Sequence, residues 1–172
     1  MASRGIHMRR IPIGLLIAAA LASPGAALAQ RAVIVARHGE NAGDALTETG
    51  CAQAARLATA LENQDIGAVY STDSTRTIAT ATPLADARKL KILLYDTSAG
   101  PGRFDARPFV AQLRNDHPND VVLVVGHITT IPDLLKALGC PGEVTIAPLD
   151  HTGLFVVVPA KQGPATLVRV KY

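Results

Sequence analysis

Two uninterrupted apolar runs constrain this chain more than anything else in it. Ala32-Val33-Ile34-Val35-Ala36 and Val121-Val122-Leu123-Val124-Val125 carry no charge and no polar alternation. A strand with one wet face alternates, so runs of this kind are buried on both faces, between helices packed on a mostly parallel sheet. Both runs stop abruptly, the first at Arg37-His38-Gly39-Glu40 and the second at Gly126-His127. Ligands of open α/β sheets bind beyond the carboxyl ends of the strands. Two such strands lying side by side would set His38 and His127 at the same sheet edge.

The remainder of the chain alternates in the same manner. Residues 41–46 read as a polar, flexible loop over that edge, and Thr47 then caps a helix whose Ala54, Leu57, Ala58 and Leu61 recur at helical spacing. Residues 66–70 form a short strand, and the polar turn Ser71 to Ser74 leads into a helix with Arg76 in its first turn. A cation is mildly unfavourable there, and an anion in front of it would reverse that cost. A third strand over 91–95 ends at Asp96, a short helix covers 109–115, and a helix opening near Pro132 stops at Gly139 and Pro141. Segments 144–146, 154–158 and 166–170 read as late edge or antiparallel strands. Strand and helix alternation of this kind predicts an α/β fold, a three-layer α/β/α sandwich with a mostly parallel central sheet.

The first 29 residues read as a cleavable export leader. Met8-Arg9-Arg10 is basic, residues 13–21 are apolar, and Ala27-Leu28-Ala29 is a small-x-small cleavage pattern before Gln30. Residues before Met8 fit an upstream start or an expression remnant. The apolar stretch is too short for a comfortable membrane anchor, so the expected location is periplasmic or secreted. Removing 29 of the 172 residues leaves 143, the length of one domain, over residues 30–172. The same cut lowers Lys+Arg from 17 to 14 against 14 acidic residues, so the basic balance belongs to the leader. A near-neutral domain lacks the charge that favours nucleic acid or a membrane surface. Cys51 and Cys140 fit no metal spacing; an exported chain can bridge them, but two isolated small core thiols are the preferred reading.

Two histidines and two arginines at strand ends suit one chemistry in particular. The planar forks of Arg37 and Arg76 match phosphate oxygens, and a neutral imidazole between them is a nucleophile able to accept a phosphoryl group. The arginines would stabilise the transferring charge with no metal or cofactor. Metal binding by the histidines, with Glu40, Asp44 or Asp96 as carboxylate, is disfavoured by the cation beside His38.

At this point a family resemblance enters. Arg37-His38-Gly39-Glu40 resembles the RHG signature of the histidine phosphatase superfamily, the phosphoglycerate mutase-like group. Leu46-Thr47-Glu48-Thr49-Gly50, Val69-Tyr70-Ser71-Thr72 with Arg76-Thr77, and Val125-Gly126-His127 resemble its later motifs in the same order. The resemblance implies that His38 is the phosphorylated nucleophile and that Arg37, Arg76 and His127 form the phosphate pocket. The short segment after Glu40, and the missing insertion before the second histidine, are similar to a compact branch rather than to the mutases. In the mutase-like branch the proton donor is a glutamate just after the third strand, which implies Asp96 here, with Glu40 as runner-up. The expected activity is phosphate transfer to water from a small phosphorylated substrate. Its rivals are a non-catalytic phosphate or phosphosugar binder on the same fold and a phosphoprotein phosphatase acting on phosphohistidine.

Overall fold

The computed structural model describes residues 31–98 and 104–172; the expected export leader, residues 1–29, lies outside them. The elements in chain order are β1 (Ala32–Arg37), β2 (Asn41–Ala42), β3 (Ala45–Leu46), α1 (Glu48–Ala60), β4 (Ile66–Ser71), α2 (Thr75–Arg88), β5 (Ile92–Leu94), α3 (Arg107–Asp116), β6 (Val121–Gly126), α4 (Ile131–Ala137), β7 (Gly153–Val158) and β8 (Thr166–Lys171). Six strands form one sheet in the order β5-β4-β6-β1-β7-β8. β1 pairs parallel with β6 and antiparallel with β7, and β4 is parallel to both β5 and β6. The two apolar runs are therefore central neighbours, with Arg37 opposite Gly126 at their shared carboxyl end.

Why those runs lack alternation is plain from the packing. Val33, Val35, Val122 and Val124 face a core closed by Phe109, Leu113, Leu134 and Leu135 of α3 and α4. Ala32, Ile34, Ala36, Leu123 and Val125 face a second core closed by Leu57 of α1 and Leu84 of α2. Both pleat faces are dry, so both need apolar side chains. Full burial of a valine or isoleucine contributes about 1.5–3 kcal/mol, and these strands bury every side chain from Ala32 to Ala36 and from Val121 to Val125.

Three local expectations change. Residues 41–46 are a tight hairpin, β2–β3, with Gly43 at φ 62° in its two-residue turn. The third strand is limited to Ile92–Leu94 at the sheet edge. Residues 144–146 form no strand. β1 already has β6 and β7 on its two sides, so the 139–152 segment finds no free place beside it; Ile146 instead tucks into the core and the following carbonyls turn toward Arg37. Among the described residues no helix is long and apolar enough to cross a membrane.

Candidate active site

β1 delivers Arg37 as its last residue and His38 immediately after it, with the His38 amide donating to the Gly126 carbonyl at 3.1 Å. The His38 Nδ1 lies 2.8 Å from the Gly39 carbonyl oxygen. A carbonyl only accepts, so Nδ1 carries the proton and Nε2 keeps its lone pair. Burial lowers the His38 pKa to about 4; the Gly39 acceptor opposes the shift, while His127, Arg37 and Arg76 add to it through their charges. The ring is a neutral imidazole at pH 7, the state a nucleophile requires.

The backbone behind it has little slack. The Gly39 amide donates to Thr80 Oγ1 of α2 at 2.9 Å, and the Glu40 amide donates to Gln53 Oε1 of α1 at 2.7 Å. Gly39 and Gly50 pack backbone to backbone: a Cβ on Gly39 would sit 2.7 Å from the Gly50 carbonyl oxygen, and one on Gly50 would collide with the carbonyl of Glu40. This close approach is the physical reason for glycine at both positions. Thr47 caps α1 by accepting from the Gly50 amide at 3.1 Å, and its hydroxyl donates to Glu40 Oε1 at 2.8 Å. Glu40 thus braces the helix start rather than lining the cleft.

His127 follows β6, and its ring centroid stands 5.3 Å from that of His38. Arg76 NH2 donates to His127 Nδ1 at 3.4 Å. A guanidinium cannot accept, so the His127 proton is on Nε2, which donates to Thr72 Oγ1 at 2.9 Å. Thr72 passes its hydroxyl hydrogen to Thr77 Oγ1 at 2.8 Å, and Thr77 donates to the Ser74 carbonyl at 2.9 Å. Burial, then the Arg76 charge, lowers the His127 pKa. The anion that offsets Arg76 in the first turn of α2 is Asp44, at 2.7 Å from NH1. Asp44 also accepts from Ser74 Oγ at 2.8 Å and from the Thr75 amide at 3.2 Å, so the hairpin caps α2 where Ser74 does not.

His38, His127 and Arg76 line one cleft of ≈ 870 Å³ together with Thr130, Asp133 and Phe104. The other sequence-derived residues are placed differently. Arg37 is buried and does not line this cleft; its NH1 donates to the carbonyl of Pro148 at 2.6 Å and to that of Asp150 at 3.4 Å, while Nε is buried without a partner. Asp96 borders a neighbouring cavity of ≈ 390 Å³ that also reaches His127. Its Oδ1 accepts from the Ser98 amide at 2.7 Å and from the Ser98 hydroxyl at 2.6 Å, and these bonds lower its pKa. A carboxylate held ionised in a turn is poorly suited to donate a proton, so the geometry does not favour Asp96 as the acid. No three His, Cys, Asp or Glu side chains among the described residues converge as a metal site. Sequence reasoning gave no role to Thr72, which it met only as part of a motif, and none to Gln53, Thr80 or His151. Thr72 bonds the His127 ring, whereas the other three bond the backbone of residues 38–40 from remote segments, and spacing along the chain gives no signal of that.

A mostly parallel α/β sheet presents two neutral histidines and an arginine beyond its strand ends, a set that can bind and accept a phosphoryl group. Residues 33–97 match the family model of the histidine phosphatase superfamily (branch 1). His127 lies beyond the matched segment, where the pairing of β1 with β6 places it. Solved structures share the fold: the protein histidine phosphatase SixA complexed with tungstate is 22% identical, at TM-score 0.65 over 81% of this chain and 96% of that one. A mycobacterial glucosyl-3-phosphoglycerate phosphatase with inorganic phosphate is 18% identical, at TM-score 0.62 over 82% and 96%. The phosphoserine phosphatase of Entamoeba histolytica with 3-phosphoglyceric acid is 16% identical, at TM-score 0.58 over 82% and 96%. No curated protein matches the sequence.

Proposed function

We propose that this protein is a phosphomonoesterase that works through phosphorylation of His38 at Nε2. The observation that carries this is the Nδ1 contact with the Gly39 carbonyl, which leaves the Nε2 lone pair free in a cleft shared with Arg76 and His127. Nε2 attacks phosphorus as the bond to the leaving oxygen breaks, and that oxygen takes a proton from solvent water. Water then attacks the phosphohistidine, and phosphate departs with the imidazole neutral again. Arg76 supplies a planar cation for the phosphoryl oxygens, and Arg37 adds its charge from behind β1. His127 takes up a proton as the dianion arrives, because the incoming charge reverses the effect of Arg76 on its Nδ1, and it then donates to a phosphoryl oxygen.

The leader pattern supports action in the periplasm or outside the cell on a small phosphorylated substrate. A second substrate class is favoured by the ionised state of Asp96: a nitrogen leaving group such as imidazole protonates near neutral pH without a strong acid beside it. The fold shared with a protein histidine phosphatase is in keeping with a phosphohistidine side chain as that substrate.

Pre-steady-state reaction with excess p-nitrophenyl phosphate, in the presence of chelator, tests the reading. The wild-type protein should give a burst and an acid-labile, base-stable phosphate, and His38→Ala should lose both while keeping its melting temperature within a few degrees. Labelling retained in His38→Ala would refute the assignment. Phosphate binding with no turnover would identify a binder instead, and loss of activity with chelator would identify a metal hydrolase.

A further inference from the structure

His151 stands outside every motif that the sequence offers, yet it touches the nucleophile's own backbone. It is buried, its ring centroid is 5.6 Å from that of His38, and its Nδ1 lies 2.9 Å from the His38 carbonyl oxygen. Because a carbonyl accepts, His151 Nδ1 is the donor. The peptide between His38 and Gly39 is therefore gripped at both ends, its oxygen by His151 and its N–H by Thr80 Oγ1. The next peptide is gripped in the same way, its oxygen by His38 Nδ1 and its N–H by Gln53 Oε1.

His151 is itself anchored from the end of the chain. The Tyr172 hydroxyl donates to the His151 carbonyl at 3.1 Å, and the Tyr172 amide donates to the Thr152 carbonyl at 3.2 Å. The neighbouring Asp150 carboxylate is held by Arg169 of β8 at 3.0 Å and by Lys171 at 3.5 Å. The same segment offers the Pro148 carbonyl to Arg37 NH1. Residues 147–152 thus form a strap, fastened to β8 and to Tyr172, that holds the Arg37-His38 pair.

We propose that His151 is a positioning residue for His38: its hydrogen bond fixes the peptide that keeps the Gly39 carbonyl on Nδ1 and so keeps the lone pair on Nε2. The consequence for turnover rests on the phosphohistidine reading above; the consequence for the tautomer does not. Without the donor, a buried carbonyl has lost its partner and the peptide is free to rotate toward another. Gly39 O then leaves Nδ1, and both the tautomer and the aim of Nε2 are lost. Misplacement of a reacting group by about 1 Å costs on the order of 100-fold in rate.

Two substitutions in the full chain test this. His151→Phe keeps a ring and removes the donor. His151→Asn places an amide nitrogen close to where Nδ1 stood. Nitrogen-15 NMR of histidine-labelled protein reads the His38 tautomer, stopped-flow mixing with p-nitrophenyl phosphate reads phosphorylation, and vanadate titration reads anion binding. Wild type should show a single Nδ1–H tautomer. His151→Phe should show a mixture and phosphorylate roughly 10-fold or more slowly, with the vanadate Kd within about twofold of wild type. His151→Asn should restore the tautomer and a rate within about threefold.

A His151→Phe protein with wild-type tautomer and rate would overturn the proposal. If that variant does not fold, a folded His151→Asn protein with a mixed tautomer or a tenfold slower rate would overturn it equally. Failure of wild type to take phosphate on His38 would refute the phosphohistidine reading, while the tautomer comparison would still decide the role of His151.

Discussion

At the scale of single residues, the state of His38 is set by three neighbours: the Gly39 carbonyl on Nδ1, the dry walls of the site, and the cations Arg37 and Arg76. Burial dominates and places its pKa at about 4, against roughly 6.5 for a histidine in the unfolded chain. Between those values the unfolded chain binds a proton that the native state refuses, so stability falls as pH drops from about 6.5 toward about 4 and the whole of that loss is reached below about 4. His38→Ala should accordingly show a flatter dependence of melting temperature on pH across this window. An NMR titration of the His38 ring should give a midpoint near 4, rising when phosphate is bound; a midpoint at the ordinary histidine value would show that the ring is solvated. The sequence placed His38 at the end of a buried strand, where the structure finds it. It gave no access to the tautomer, because that depends on a carbonyl orientation fixed by Thr80, Gln53 and His151 from three other segments.

At the scale of elements, the β2–β3 hairpin acts on the site through Asp44. It carries Asp44 to the start of α2, where the carboxylate caps the helix through Ser74 and Thr75 and pairs with Arg76. Bonds from the Ser74 and Thr75 side chains lead the forces that lower the Asp44 pKa, so the carboxylate is ionised where a phosphate dianion must approach. Asp44→Asn keeps a capping oxygen and removes the charge. Phosphate should then bind roughly threefold more tightly, with little change in melting temperature. Asp44→Ala also removes the cap and should lower the melting temperature by roughly 3 °C. Weaker phosphate binding by Asp44→Asn, read by calorimetry, would mean that Asp44 serves chiefly to hold Arg76 in place. The alternation of strands and helices and the Thr47 cap were legible from the chain itself. The hairpin was not, since a polar six-residue stretch reads as a loop until its contact with α2 gives it a shape.

At the scale of the whole molecule, the sheet separates what the sequence leaves free to meet. Cys51 is exposed on α1, which packs on one face, whereas Cys140 is buried in the core on the other. Both are free thiols, and the sheet between them precludes the approach a disulfide requires. Burial raises the Cys140 pKa to about 11, so its reactive thiolate is scarce as well as inaccessible. Native protein should therefore react with one equivalent of Ellman's reagent, through Cys51, and with a second only on unfolding. Reductant should leave the melting temperature unchanged. Two equivalents reacting at once with native protein would show that the Cys140 core opens readily.

The amino-acid order alone determined the buried central strands, because burial on both faces leaves an uninterrupted apolar run. It also set which polar groups stand at their ends, since Arg37, His38 and His127 interrupt those runs abruptly and Arg76 stands where a helix does not favour a cation. Tertiary structure alone decided how these groups are used. Arg37 is turned onto the carbonyls of the 147–152 strap, Asp96 is tied into a turn with Ser98, and Asp44 meets Arg76. The physical reason is one of range: periodicity and capping act over a few residues and are written locally, whereas each of these contacts forms where two distant segments converge, at a place fixed only once the sheet and its helices have packed.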